Sequence, residues 1–328
     1  MIGLEKPLVS ICCITYNQEQ FIRDAIEGFI NQITDFDFEI IIHDDASTDG
    51  TASIIREYEA QYPNLIKPIY QVDNQYSQGI SPSSLCYAQA QGDYIAICEG
   101  DDYWIDPLKL QKQVNILGTN QKCDICFHNA IILSPDSQNK ELFKKVSGSN
   151  RVFSIEEVIM GGGAFMPSPS IMFRNKILTM YFESENWLIG PRDFHIQILG
   201  SIGGGAIFLD EAMSVYRRNF TGSWTYRTNN NYNLLINQAY NELNYIIENN
   251  RYTEFMYADA HKTLYERTLL SYMGYYRINR KDKNELYRRY GSQLKIKYKF
   301  LAIIKKSIIY SSVMRFSIRC YRWLVRKR

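Results

Sequence analysis

Continuous apolar runs alternate with amphipathic runs along the amino-terminal part of the chain. Three apolar runs predict strands covered on both faces of a sheet, at residues 8–14, 38–43 and 93–99. Helical spacing of apolar residues predicts helices at 18–32, 51–62, 82–91 and 106–117, with a weaker strand at 65–70. This alternation predicts an α/β fold, doubly wound, with a mainly parallel sheet and helices on both faces.

The remaining pattern is less regular. The helix predicted at 106–117 opens with Asp106 and Pro107, which predict its cap and first turn. Polar residues predict a surface loop at 135–150, and glycines end a helical run at 192–204. Strand-like runs lie at 170–174, 206–210 and 213–218. From residue 229 onward the pattern is helical and rich in tyrosine, so we expect two domains, 1–228 and 229–328.

The charges are unevenly distributed along the chain. Its net charge is only +2, but 13 of the 37 Lys and Arg residues lie in residues 286–328, which contain no Asp or Glu. The preceding residues therefore carry 24 basic and all 35 acidic side chains. An acidic body with a basic tail predicts that the two parts of the chain have separate functions.

The cysteines and the amino terminus favour a cytoplasmic protein. Seven cysteines are an odd number, and most lie inside apolar runs, as expected of buried thiols rather than a disulfide framework. Cys123 and Cys126 form a CxxC pair, but no further ligands follow at zinc spacing. The apolar run near the start is too short for a secretory signal, and none approaches the roughly 18 residues of a spanning helix.

Three polar clusters directly follow predicted strands, at residues 15–17, 44–47 and 99–102. The carboxyl ends of parallel strands meet at one edge of the sheet, so these clusters should converge there. Glu99, Asp101 and Asp102 repel one another and need compensation. They could cap a helix or form a solvated loop, but the following Tyr103 and Trp104 favour a packed loop. A Mn or Mg ion is the better compensation.

Two common nucleotide-binding motifs are absent from the sequence. The turn after the first strand, TYNQEQ, has no glycine and so lacks the dinucleotide-binding pattern, and no P-loop is present.

With its segments at 7–32, 38–51 and 92–113, the sequence resembles an inverting family 2 glycosyltransferase with the GT-A fold, of the bacterial surface-polysaccharide type. The resemblance is dense over residues 7–117 and looser to about 226.

The resemblance implies a donor site. Tyr16, Asn17, Asp44 and Asp45 match the positions that hold the nucleotide. Glu99 matches the position that approaches the ribose, although that position is usually aspartate. Asp101 and Asp102 match the metal ligands on the diphosphate. The alternative for the aspartates after the second strand is turn or helix capping, for which Asp49 is the best candidate.

The resemblance also implies a catalytic base. Asp193 opens a predicted helix where the family places the aspartate that deprotonates the acceptor hydroxyl. Arg192 stands where a glutamate is usual, and the alternative for Asp193 is a helix N-cap. His195 could compete as the base. Arg217 or Arg218 could pair with the diphosphate, or both could belong to an ordinary basic edge strand.

The basic tail, residues 294–328, carries 11 positive charges and no acidic residue. On a helix, Arg315, Arg319, Arg322 and Arg326 would fall within about 60° of one another. This pattern favours a helix on the inner face of an anionic membrane. An ordinary packed helix with a basic face is the main alternative. Nucleic-acid binding is not expected, because no fold supports it.

The sequence as a whole predicts a metal-dependent, inverting glycosyltransferase. Its donor would be a nucleoside-diphosphate sugar, with a UDP-sugar favoured, and its acceptor a glycan or lipid-linked glycan. The QxxRW signature of processive synthases is absent, so we expect one sugar per encounter. The alternatives are a sugar-phosphate nucleotidyltransferase, which usually has a glycine-rich basic turn that is missing here, and a non-catalytic membrane-bound scaffold.

Overall fold

A computed structural model describes residues 6–135, 141–144, 149–179, 192–221 and 223–305. The chain divides into two compact units, Met1–Ser223 and Trp224–Arg328. The division lies close to the domain change predicted near residue 228.

The first unit is built on one mixed, mostly parallel sheet. Its path runs β3-β2-β1-β4-β9-β6-β10-β5, with β7 beside β6 and β8 beside β10. The longest pairings, β1 with β2 and β6 with β10, are parallel. The strands are β1 (Val9–Thr15), β2 (Phe38–Asp44), β3 (Ile66–Tyr70), β4 (Tyr94–Ile97), β5 (Tyr103–Trp104), β6 (Ile125–Leu133), β7 (Glu141–Leu142), β8 (Arg151–Phe153), β9 (Met172–Arg174) and β10 (Ala206–Arg217).

Helices cover both faces of this sheet, as predicted. They are α1 (Ile22–Ile30), α2 (Thr51–Gln61), α3 (Pro82–Gln89), α4 (Lys109–Thr119), α5 (Ile155–Gly161) and α6 (Asp193–Ser201). Residues of α1, α2 and α4, such as Phe29, Ile55 and Leu110, pack in one core cluster. Residues of α3, α5 and α6, such as Tyr87 and Val158, pack in a second cluster. The α/β fold class predicted from the sequence is therefore confirmed.

Several boundaries differ from the predicted ones. The runs at 206–210 and 213–218 form the single strand β10, because register shifts against β6 absorb the polar residues between them. Helix α4 begins at Lys109, and Leu108 is its N-cap. The predicted cap, Asp106, instead accepts a hydrogen bond from Leu108 N at 2.8 Å and forms an ion pair with Lys112.

The two ends of the sheet path are protected differently. Strand β3 contains Pro68, which has no amide hydrogen to offer another strand. Strand β5 lies under α1, where Gly28 approaches the backbone of Trp104. A Cβ atom on Gly28 would lie 2.9 Å from both the nitrogen and the oxygen of Trp104. Only glycine fits this approach.

The second unit is helical over its described residues. Its helices are α7 (Trp224–Asn230), α8 (Tyr232–Tyr252), α9 (Ala258–Gly274), α10 (Arg280–Tyr290) and α11 (Ile296–Lys305). Asn231 caps α8 by accepting hydrogen bonds from the amides of Asn233 and Leu234. None of the helices in the described ranges is long and apolar enough to span a membrane. Of the predicted membrane segment, residues 306–328 lie outside the described residues.

Candidate active site

The turns after β1 and β2 are joined by hydrogen bonds at the carboxyl edge of the sheet. Asn17 N donates to Ser47 Oγ at 2.9 Å, and Thr48 N donates to Asn17 Oδ1 at 2.7 Å. Asn17 and Ala46 have φ values of 54° and 61°, in the left-handed region. Tyr16 lies half-buried in the first of these turns. The structure thus brings together the predicted nucleotide-binding residues of both turns.

The three aspartates at and just after the end of β2, Asp44, Asp45 and Asp49, have different surroundings. Asp45 accepts hydrogen bonds from Gln75 N at 2.7 Å and Tyr76 N at 3.1 Å, so it holds the loop after β3. Burial raises the pKa of Asp44, against the opposing effect of its hydrogen bond from Ser47. Asp49 accepts hydrogen bonds from the amide and hydroxyl of Thr51, the first residue of α2. The N-cap of α2 is Gly50 and has no side-chain cap, so the prediction of Asp49 as the cap is wrong: its carboxylate closes the turn just before the helix.

The acidic loop, residues 99–102, lies beside the turn after β1. Gly100 N donates to Ile14 O at 3.0 Å. A Cβ atom on Gly100 would lie 2.5 Å from Gln18 Oε1 and 2.8 Å from Thr15 Oγ1. A larger residue at position 100 would displace these side chains, whereas glycine lets the acidic loop lie against the first turn.

Both aspartates of the acidic loop are buried, and Glu99 is half-buried. Asp101 and Asp102 are 8% and 1% exposed. Burial, followed by repulsion from Asp101, raises the pKa of both Glu99 and Asp102. The backbone amide of Arg217 donates to Asp102 Oδ1 at 2.7 Å and partly offsets this effect. This loop concentrates negative charge that a cation would stabilise.

Arg217 joins three elements. Its guanidinium donates to the backbone oxygen of Asp101 at 3.0 Å and forms an ion pair with Asp24 of α1. It also stacks on the rings of Tyr103 and Phe21, at 4.4 and 4.9 Å from their centroids. The side chain is only 8% exposed. Arg217 thus holds the acidic loop, whereas the neighbouring Arg218 is exposed.

Asp193 is the first residue of α6 and is half-buried. Asp193 Oδ2 accepts a hydrogen bond of 2.6 Å from Ser168 Oγ. Burial raises the pKa of Asp193, and the hydrogen bond from Ser168 opposes that rise. Asp193 and Glu99 line one small cavity with Ser168 and Tyr87. The cavity has about 20 Å³, enough for one water molecule.

The neighbouring histidine has a different character. Burial lowers the pKa of His195 to about 4, so its imidazole is neutral at pH 7. Asp193 and Glu99 lie together at the end of the sheet that carries the acidic loop.

Sequence reasoning missed three residues around this site. Ser168 belongs to the segment PSPS, which was interpreted only as a break in structure, although a hydroxyl between two prolines is a local signal. Asp24 gave no signal, because its partner Arg217 lies far away in the chain. Trp104 was used only as an anchor for the loop, whereas its indole nitrogen donates to Pro169 O at 2.9 Å.

Within the described ranges, no three Asp, Glu, His or Cys side chains are grouped as a ready metal site. The six described cysteines are all free and buried.

Comparison with known proteins gives one family. Residues 10–221 match the sequence profile described as Glycosyl transferase family 2, which covers well over half of the chain. An uncharacterized protein of Mycobacterium tuberculosis (strain ATCC 25618 / H37Rv) is 38% identical over 216 residues, 66% of this chain and 60% of that protein. The chain therefore covers less than two thirds of the length of these relatives.

Two further comparisons concern named glycosyltransferases. The putative teichuronic acid biosynthesis glycosyltransferase TuaG of Bacillus subtilis (strain 168) is 31% identical over 138 residues, 42% of this chain and 52% of TuaG. The crystal structure of S. aureus TarS 1–349 in complex with UDP has a TM-score of 0.61 and 16% identity, and covers 95% of this chain and 91% of that chain. At this identity the TarS comparison establishes a shared fold.

Proposed function

Because the chain belongs to Glycosyl transferase family 2, we propose that it is an inverting, non-processive glycosyltransferase. It would transfer one sugar from a nucleoside-diphosphate sugar to a glycan or lipid-linked glycan during surface-polysaccharide synthesis. The observation that carries this proposal is the pairing, at one edge of the sheet, of the acidic loop, whose Asp101 and Asp102 are buried, with the half-buried Asp193, which lines one cavity with Glu99.

The acidic loop would hold a divalent cation next to the diphosphate of the donor. Asp101 and Asp102 are the proposed ligands, since Mg²⁺ and Mn²⁺ accept one or two carboxylates together with substrate phosphates. Burial and repulsion from Asp101 and Glu99 raise the pKa of Asp102. A bound cation would stabilise the ionised form of this carboxylate against both effects. When bound, the cation would neutralise charge on the departing nucleoside diphosphate.

Asp193 is the proposed general base. An inverting transfer needs one carboxylate that takes the proton of the acceptor hydroxyl as its oxygen attacks the anomeric carbon. Burial makes Asp193 a stronger base than an exposed aspartate, because it raises the pKa of its carboxyl. The hydrogen bond from Ser168 Oγ fixes Oδ2 of this carboxylate.

The nucleotide would bind along the two joined turns. We propose Tyr16, Asn17, Asp44 and Asp45 for the base and Glu99 for the ribose. Arg218 is a better candidate for the diphosphate than Arg217, because the guanidinium of Arg217 is committed to Asp24 and Asp101. A UDP-sugar is the favoured donor; TarS, which shares the fold, was crystallised with UDP.

We propose a cytoplasmic location at the inner face of an anionic membrane, through residues 294–328. In the described part of this segment, Ile296 and Ile303 of α11 are 86% and 48% exposed. Lys295 and Lys299 lie on the same short stretch of chain. Exposed apolar side chains among lysines suit an anionic lipid surface.

The first test is donor binding to the full chain. UDP- and GDP-sugars are titrated by calorimetry with Mn²⁺ or Mg²⁺ and then with EDTA. We expect one donor to bind with the metal, and Asp101→Ala to lose that binding. Asp37→Ala is the matched control, since Asp37 is exposed and precedes β2 at the opposite edge of the sheet. Metal-independent binding that survives Asp101→Ala would contradict the metal site. If none of the donors binds, the result favours the non-catalytic scaffold.

A further inference from the structure

The turn that carries Ser168 is held in place by buried hydrogen bonds. It is a short 3₁₀ helix, Ser168–Ser170, preceded by Pro167. Ser170 Oγ closes the turn by donating to Pro167 O at 2.6 Å. The turn therefore presents the hydroxyl of Ser168 from a fixed backbone.

Two side chains from distant elements hold the turn from outside. Trp104 Nε1 donates to Pro169 O at 2.9 Å, and Gln113 Nε2 donates to Ser170 O at 2.8 Å. Trp104 comes two residues after Asp102 and is 4% exposed. A continuous set of contacts thus leads from the acidic loop through Trp104 and the turn to Asp193.

We propose that Ser168 is a positioning residue that orients the carboxylate of Asp193 toward the acceptor hydroxyl, and that Trp104 sets the position of Ser168. The donor side and the base side of the site would then share one buried support. This inference rests on the proposed role of Asp193 as the general base.

A hydrogen bond to an ionised carboxylate stabilises the ionised form. The other titratable groups around Asp193 are Glu99 at the end of β4, Tyr87 of α3 and Tyr216 of β10. Arg192 is the N-cap of its own helix, and His195 lies on that helix. Ser168 is the side chain whose hydrogen bond lowers the pKa of Asp193, so its loss has a defined sign.

The direct test is the titration of Asp193 by ¹³C NMR on protein labelled at aspartate, with the resonance assigned by its absence in Asp193→Asn. In Ser168→Ala we expect the pKa of Asp193 to rise by about one to two units, the effect of one hydrogen bond to a charged group. Ser168→Thr keeps a hydroxyl and should restore the value. An unchanged pKa in Ser168→Ala would overturn the proposal.

The second test separates positioning from folding. Trp104→Phe keeps a ring against Phe29 but removes the N–H that holds Pro169. For the donor identified above, both Ser168→Ala and Trp104→Phe should lower kcat by about tenfold or more, since small displacements of a base are costly. The Kd for UDP with Mn²⁺ should not change. An equal loss of UDP binding would indicate a general structural defect and count against the proposal.

The two proposals fail in different ways. If the wild-type protein turns over no donor, the proposed function fails, but the NMR titration still decides whether Ser168 controls Asp193. If the enzyme is active and the acid limb of its pH–rate profile is the same in Ser168→Ala, only the role of Ser168 fails.

Discussion

At the scale of single residues, Lys109 is unusual because its ammonium group is fully buried. Its Nζ donates to Gln113 Oε1 at 2.6 Å and lies 3.8 Å from the ring centroid of Trp104. Burial lowers the pKa of Lys109 to about 7. Gln113 also holds the turn that carries Ser168, so Lys109 belongs to the support behind the proposed base.

Lys109 should make the free energy of unfolding depend on pH. Between pH 7 and about 10, the unfolded chain holds a proton on Lys109 that the folded chain has released, so this group makes stability rise with pH. Lys109→Met removes that contribution. We expect the stability difference in favour of Met to be largest below pH 7 and to fall by roughly 1 kcal/mol per pH unit above it.

Urea unfolding of both proteins from pH 6 to pH 10 measures this difference. The raised pKa values of the buried acids affect wild type and variant alike, so the comparison isolates Lys109. A difference that does not change with pH would show that Lys109 is not neutral in the folded protein.

Gly100 is a second residue with a specific prediction. Gly100→Ala places a methyl group against Gln18 and Thr15, at distances that real Cβ atoms do not adopt. We expect a loss of about 1–3 kcal/mol in the free energy of unfolding and weaker metal-dependent donor binding, because either the acidic loop or the hydrogen-bonded side chains of Thr15 and Gln18 must shift. Gly118→Ala is the matched control, since a Cβ atom there meets nothing within 4 Å. Equal effects of the two substitutions would contradict the close approach at Gly100.

At the scale of elements, Arg217 joins the end of β10 to α1 and to the acidic loop. Asp24→Asn removes the ion pair that anchors its guanidinium. Because Asp24 is half exposed, we expect a moderate loss of about 1–2 kcal/mol in the free energy of unfolding. Arg218→Ala should instead raise the KM for the donor without changing stability. Thermal unfolding and donor kinetics of both variants test this division, and the reverse pattern would refute it.

The sequence predicted elements well where periodicity alone decides them. The buried strands β1, β2 and β4 and the helices that follow them lie where apolar spacing placed them. It failed where a distant partner decides. Asp106 is a residue type that commonly caps helices, but its carboxylate instead accepts hydrogen bonds from Leu108 N and Lys112 Nζ. The polar residues inside β10 suggested two strands, because pairing with β6 is invisible in the sequence.

The same distinction holds for the candidate site. Residues that follow strands were found from their position in the chain. Those contributed by other elements, Asp24 and Ser168, act through long-range contacts with Arg217 and Asp193. Such partners are specified only when the chain folds.

At the scale of the whole molecule, the structure changes how the membrane segment should be tested. In the helical unit, Lys295 N donates to Glu266 Oε1 at 2.9 Å, and Ala302 is buried. Deleting all of residues 294–328 would therefore remove packed structure. A truncation after Lys305 still removes seven basic residues and spares α11.

We expect this truncation to lose most of its binding to vesicles that contain anionic phosphatidylserine, because each basic residue near such a surface contributes about 1 kcal/mol. Donor binding should stay unchanged. A full-length variant with Gln in place of Arg315, Arg319, Arg322 and Arg326 keeps the length and removes the charge. Equal vesicle recovery of all three proteins would contradict the membrane role.

The glycine contact between α1 and β5 has a consequence for how the protein behaves in a crowded cell. An uncovered edge strand can recruit strands from other chains, which leads to aggregates. If Gly28→Val pushes α1 away from Trp104, the exposed backbone of β5 becomes a template for such growth. The variant should then shift from the supernatant to inclusion bodies during expression, whereas Gly118→Val should not. The absence of a side chain at position 28 would thus decide the yield of the protein as well as its shape.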